Sequence, residues 1–223
     1  MFLSKVTLQS SAQASLELAK LASNGVYSSH QLLWTLFKEA QTREFLYRED
    51  IGLAGKPEFI VLSDTMPIAD ETVLNVQSKT FQPQLSNGQR LGFKLRVNPT
   101  VCVTDSQGKS KRHDVLMHAK KKLGGVAMTA ADLAIVQQQA ACKWIADERR
   151  LQSWGIELEA LPDMISYEQH KSKKRGGQNV QFSSVDFQGV LTVQEPELFL
   201  TQYVKGFGRA KALGCGLMLI RPV

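Results

Sequence analysis

The chain has 223 residues, 43% of them apolar and 22% charged, enough to bury a sizeable core as one large domain or two small ones. Its three cysteines, Cys102, Cys142 and Cys215, are far apart and without a paired motif, which argues against a disulfide framework or a zinc site and fits a reducing cytoplasm. No run approaches the roughly eighteen apolar residues of a membrane span, and Lys5 interrupts the short apolar N-terminus, so a cytoplasmic protein with no membrane partner is expected.

In chain order, residues 2–9 read as an opening strand and 12–22 as a short helix ended by Asn24-Gly25. Ser28 and Ser29 are good N-caps for a second helical run, in which Leu33, Leu36, Phe37 and Ala40 recur at helical spacing. Residues 45–47 and 59–63 read as strands, with Gly52 and Gly55 in the turn between them. The polar, turn-rich stretch 81–90 is the expected domain junction. Beyond it, 91–103 is a strand broken by Pro99. A basic loop then leads to Thr129-Ala-Ala-Asp132, the start of a helix carrying Leu133, Val136, Ala140, Trp144 and Leu151 on one face. Residues 187–193 and 217–220 are strands flanking a helix over 196–205. An α+β fold of two tandem ferredoxin-like (RRM-like) β-α-β-β-α-β domains, 1–85 and 91–223, accounts for this order economically. No repeat is visible in the residues themselves.

The net charge of +6 is unevenly placed. Residues 109–122, 171–175 and 205–223 together hold fourteen cations and one carboxylate, so the rest of the chain sums to −7. Three basic runs on an otherwise acidic chain suit a surface that follows a phosphate backbone. The plainer alternative is three separately solvated loops. Residues 206–223 add four glycines and no acidic residue. Gly206, Gly208 and Gly214 let backbone N–H groups approach a ligand closely, and Arg209 and Lys211 stand where they can neutralise phosphate, so the segment reads as an anion cradle. A dinucleotide fingerprint is not expected, since no helix and acidic residue follow Gly216 at the needed spacing, and no Walker loop is expected because no Gly-Lys-Ser/Thr occurs in this segment. A glycine-rich turn closing the last strand remains the simpler reading.

His30 falls, on this pattern, in the first turn of a helix, where the positive end of the macrodipole favours the neutral imidazole. Nearby cations would push the same way. A neutral imidazole can take a proton from a ribose 2′-hydroxyl. A surface or capping histidine is the competing reading of His30, and a packing aromatic that of Tyr27; Trp34, Leu36 and Phe37 read simply as core. None of the four histidines shows metal-ligand spacing, so no metal and no cofactor are expected.

The segment Gly-x-Gly-x-Ala-Lys-x-x-Gly-Cys-Gly-Leu at 206–217 resembles the glycine-rich terminal loop of CRISPR repeat-processing endoribonucleases, and most of all that of the CasE family of type I-E systems. Tyr27-x-x-His30-x-x-Leu33-Trp34-x-Leu36-Phe37 resembles the same family, as do Leu95-Arg96-Val97-Asn98-Pro99 and Gly189-Val190-Leu191-Thr192-Val193. The resemblance implies a metal-independent endoribonuclease that binds the hairpin of a CRISPR repeat transcript and cuts at its 3′ base. Attack of the 2′-oxygen on the adjacent phosphorus leaves a 2′,3′-cyclic phosphate and a 5′-hydroxyl. The implied partners are pre-crRNA, mature crRNA and the other Cascade subunits. His30 would transfer the proton, Tyr27 would position it, and Arg209 or Lys211 with loop N–H groups would stabilise developing charge. Lys109, Lys111, Arg112, Lys173, Lys174 and Arg175 would follow the RNA backbone, since double-stranded RNA is read largely by shape. The alternative is an RNA-binding subunit of a ribonucleoprotein that does not cut.

Overall fold

A single strand order occurs twice along the chain. The computed structural model describes residues 1–52, 55–104, 106–124, 129–174 and 177–223. The chain folds into two units. One comprises Met1–Gln84, Gln169–Phe182 and Ala210–Leu217; the other comprises Leu85–Glu168, Ser183–Arg209 and Met218–Val223.

In the first unit β1 (Phe2–Leu8), α1 (Ala12–Trp34), β2 (Phe45–Ile51), β3 (Pro57–Ser63) and β4 (Leu74–Thr80) follow in sequence. The sheet order is β2-β3-β1-β4, antiparallel throughout. This is the ferredoxin-like order, with the second helix of the pattern replaced by turns and irregular backbone over 64–73. Pro67, which lacks an N–H, sits within that stretch. Val6, Phe45, Tyr47, Phe59 and Val61 from the strands pack with Leu32, Leu33, Leu36 and Phe37. Each such side chain contributes about 1.5–3 kcal/mol by leaving water.

Helix α1 begins at Ser11, whose hydroxyl accepts from Ala14 N at 3.0 Å. It breaks at Gly25 (φ 52°, ψ −134°), as the Asn24-Gly25 signal predicts. The expected caps are not at its restart. Ser28 and Ser29 lie inside the resumed helix, and buried Ser29 donates instead to Glu49 Oε2 at 2.6 Å. The helix ends at Trp34, so Leu36 and Phe37 reach the core from the turn that follows.

The second unit is built on β5 (Arg90–Val97), β8 (Ile156–Leu158), β10 (Asn179–Val193) and β11 (Met218–Pro222), in the sheet order β11-β5-β10-β8. Numbering these four along the chain gives the same order as the first sheet. Leu91, Phe93, Leu95 and Val97 alternate inward along β5. The strand expected to be broken at Pro99 is indeed two: β6 (Thr100–Thr104) leaves β5 and forms a hairpin with β7 (Ser110–Asp114). Helices α2 (Val115–Lys122), α3 (Ala130–Ile145), α4 (Glu148–Trp154) and α5 (Pro196–Lys205) complete the order. Thr129 and Asp132 form the predicted capping box. The helix it starts stops earlier than its apolar pattern suggests, because Asp147 accepts from Arg150 N at 3.0 Å and caps a new helix. Strand β9 (Asp163–Lys173), which pairs with β10, has no counterpart in the sequence reading.

Candidate functional site

Spacing along the resumed half of α1 puts Tyr27, His30 and Trp34 on one face. Helical side chains lean toward the N-terminus, which carries the Trp34 indole back over His30. Trp34 Nε1–H donates to His30 Nε2 at 3.1 Å, with ring centroids 6.1 Å apart and the planes at 87°. The indole also meets Phe45 edge to face, with ring centroids 5.6 Å apart, and the Tyr27 ring is 6.4 Å from His30. A donor on Nε2 assigns the proton of the neutral imidazole to Nδ1. Nδ1 is itself buried, with no hydrogen-bond partner among the described residues.

The imidazole is held below its ordinary pKa, first by burial and then by the positive charges of Arg43 and Lys174. The sequence predicts the same direction from a different cause. His30 lies beyond the first turn after Gly25, where the macrodipole has faded, and burial takes its place. Arg43 is tied by a short hydrogen bond from Nη1 to Phe45 O, so its charge is fixed at the entry to β2.

Tyr27, His30, Gln31, Trp34, Lys174, Val180, Ala212 and Leu213 line one cleft of about 600 Å³. Two attachments bring its distant segments to α1. Asn24, at the helix break, donates Nδ2–H to Lys173 O at 2.9 Å and accepts from Lys173 N at 2.7 Å. This side chain therefore imitates a strand partner and holds the end of β9, one residue before Lys174. Buried Tyr47 donates through its hydroxyl to Val26 O and Ala212 O, each at 3.4 Å. Its phenol is raised well above the ordinary range by burial, with Glu49 and Cys215 adding to the shift. Ala212 belongs to a single 3-10 turn, Lys211–Leu213, entered through left-handed Ala210 (φ 54°) and left through Gly214 (φ 82°).

Of the residues singled out from the sequence, Tyr27, His30 and Lys174 meet in this cleft. Lys211 and Gly214 flank its Ala212–Leu213 wall, and Lys173 is the residue gripped by Asn24. Arg175 lies outside the described residues. Gly206 ends α5, Gly208 (φ 71°) sits against Val97 and Trp144, and exposed Arg209 bridges to Asn98; all three belong to the second unit. Lys109, Lys111 and Arg112 are exposed on the β6–β7 hairpin of that unit, Lys111 opposite Val103 and Arg112 opposite Cys102. His113 and His118 face one another with ring centroids 5.8 Å apart.

Sequence reasoning passes over Trp34 as core, and over Arg43, Gln31 and Val180 entirely. The four-residue interval from His30 to Trp34 is the signal that could have found the first. Arg43 carries no signal, because the loop that aims it has no periodicity.

A repeated ferredoxin-like sheet order, exposed basic hairpins and a histidine cleft walled by a glycine-rich turn define a two-domain α+β protein with surfaces suited to polyanions. A family model described as CRISPR associated protein matches residues 1–222. The chain belongs to that family. It is 26% identical over 228 residues to the CRISPR system Cascade subunit CasE of Escherichia coli, and 28% identical over 241 residues to the CRISPR-associated endoribonuclease Cse3 of Thermus thermophilus. Both alignments cover 100% of each chain. Among solved structures, CRISPR endoribonuclease Cse3 bound to 19 nt RNA superposes with a TM-score of 0.71, and Cas6e from Escherichia coli with 0.66. Each is 26% identical to this chain, with 100% of both chains covered.

Proposed function

We propose that this protein is the endoribonuclease that matures CRISPR RNA in its host, cutting the repeat transcript at the 3′ base of its hairpin and keeping the product within Cascade. The reading draws on membership of the family, on the Thermus relative named as an endoribonuclease and on the Escherichia coli relative named as a Cascade subunit. The observation that carries it for this chain is the gathering of Tyr27, Lys174 and a His30 whose pKa is lowered by burial and then by neighbouring cations, all in one cleft.

His30 Nε2 takes the proton of the 2′-hydroxyl as the 2′-oxygen forms its bond to phosphorus. The bond from phosphorus to the 5′-oxygen breaks, and the leaving oxygen acquires a proton. The products are a 2′,3′-cyclic phosphate and a 5′-hydroxyl. Tyr27 orients the reacting nucleotide, and Lys174 offsets the charge that builds on the phosphoryl oxygens, a contribution that low dielectric strengthens. Arg209, Lys211 and the N–H groups around Gly206, Gly208 and Gly214 serve as further phosphate contacts. Lys109, Lys111, Arg112, Lys173 and Arg175 follow the stem, and the protein works in the cytoplasm without a metal. Domains over 1–85 and 91–223 belong to the same proposal; what supports them is the repetition of one strand order.

Incubation with the cognate repeat hairpin in chelator, followed by analysis of the RNA ends, tests this reading. His30→Ala is expected to slow cutting by roughly a hundredfold or more with binding nearly intact. Normal cutting by the variant, or 3′-hydroxyl and 5′-phosphate ends from the unaltered protein, would overturn it. Binding without cutting would leave an RNA-holding subunit.

A further inference from the structure

We infer that Trp34 is a positioning residue for His30, its indole N–H occupying the Nε2 lone pair until RNA entering the cleft draws the two rings apart. The inference rests on the proposed role of His30 as base and adds to it how that base is kept inactive.

Four observations carry it. The contact is a hydrogen bond of 3.1 Å from the indole N–H to Nε2, with ring centroids 6.1 Å apart and the planes at 87°, so the donor is aimed at a ring nitrogen. Phe45 packs edge-on against the indole and limits its freedom to turn away. Nδ1 has no hydrogen-bond partner among the described residues, so among them the Trp34 bond is the hydrogen bond that orients the imidazole. Finally, both rings line the cleft, where an entering nucleotide would meet them.

The consequence is chemical. While the bond persists, Nε2 is an acceptor already in use, and Nδ1 carries the proton. Protonating Nε2 would set two N–H donors against each other, so the indole opposes the imidazolium. Using Nδ1 as the base instead requires the opposite tautomer, which places the same two donors in conflict. Proton acceptance by His30 and the Trp34 bond are therefore mutually exclusive in this side-chain arrangement. Among the described residues, the other charged or titratable groups facing the ring are Arg43 before β2, Lys174 from the β9–β10 hairpin and Tyr27 on its own helix; the two cations also oppose protonation. They act on the ring through their charge, whereas Trp34 donates to a ring nitrogen and so selects the tautomer.

The test replaces Trp34 with β-(3-benzothienyl)alanine, which keeps the bicyclic shape and substitutes sulfur for N–H; Trp34→Phe is a second variant. Imidazole nitrogen shifts are followed by NMR in the RNA-free protein. Loss of the donor should raise the His30 pKa by roughly half to one pH unit and release the Nδ1–H tautomer preference. In single-turnover cleavage, the acid limb of the second-order rate at limiting protein reports the unbound enzyme and should move up with the imidazole. The limb of the plateau rate reports the complex and should stay in place. Packing damage alone would move both or neither. Titrating the unaltered protein with a hairpin bearing 2′-deoxyribose at the cut site should shift the Trp34 indole N–H resonance as its acceptor is lost. An unchanged imidazole titration in the sulfur variant, or an indole resonance indifferent to RNA, would overturn the inference. Normal cleavage by His30→Ala would instead remove the catalytic reading beneath it, so the two failures are distinguishable.

Discussion

Gly214 and Tyr47 are packed so closely that a Cβ at position 214 would lie 3.2 Å from Tyr47 Cε2 and 3.6 Å from its Cζ. The backbone at Gly214 is left-handed (φ 82°), a region costing other residues about 1–2 kcal/mol. Gly214→Ala should therefore destabilise the protein by about 1–2 kcal/mol from strain, and by more if the fully buried phenol ring cannot yield. Tyr47→Phe removes two long hydroxyl contacts and keeps the ring, so it should cost less, below about 1.5 kcal/mol. Denaturant unfolding of both variants checks the order. Equal stability of Gly214→Ala and the parent would mean that the turn is not held against β2.

The hairpin end that carries Lys174 is bound by a side chain of α1 as well as by its own backbone pairing. Asn24 makes two hydrogen bonds with the backbone of Lys173, at 2.9 and 2.7 Å. Each contributes about 1 kcal/mol. Asn24→Ala should lower stability by roughly 1–2 kcal/mol and speed amide exchange at Lys173 and Ser172. Asn24→Asp keeps the acceptor and loses the donor, so the Lys173 amide should stay protected better than in the alanine variant. Unchanged exchange in Asn24→Ala would show that the β9–β10 pairing holds this end unaided.

These attachments explain what the sequence could and could not disclose. Apolar alternation along β5, the Asn24-Gly25 break, the Thr129–Asp132 box and the helix at 196–205 are local features, and each appears in the structure where its residues predict. The repeated sheet order also needs β4 and β8, two strands that the sequence reading does not contain. Local reading fails where tertiary partners decide. Ser28 and Ser29 look like caps, yet Glu49, on a different element, draws Ser29 into the helix interior. Strand β9 is polar along most of its length, so it lacks the apolar alternation that marks a half-buried strand. Within the site, His30 and Tyr27 are adjacent on one helix and were legible together. Lys174 was visible only as a member of a charge run, because the Asn24 bracket that brings it to His30 joins residues 149 positions apart. Trp34 has two roles of which only one was legible: its indole packs an apolar face against the core, as read, and still donates from its edge, so its spacing matches both core and site.

The cleft assigns a sign to the effect of removing Lys174. Its ammonium lowers the His30 pKa, after burial and Arg43. In the proposed reaction the neutral imidazole is the competent form, so activity is present above its pKa and lost as pH falls through it. Lys174→Met removes one of the two cations and should move the acid limb of the plateau cleavage rate to higher pH, by less than about one unit because burial and Arg43 remain. Lys174 is exposed, so the displacement should shrink as ionic strength rises and screens the pair in the parent protein. The same substitution removes a phosphate contact and should flatten the salt dependence of RNA binding by about one unit of slope or less. Saturating protein separates the two effects, since the plateau rate is insensitive to affinity. A limb that stays in place while binding weakens would make Lys174 a backbone contact without influence on the base. A limb that moves to lower pH would contradict the electrostatic order Lys174 and Arg43 impose on His30.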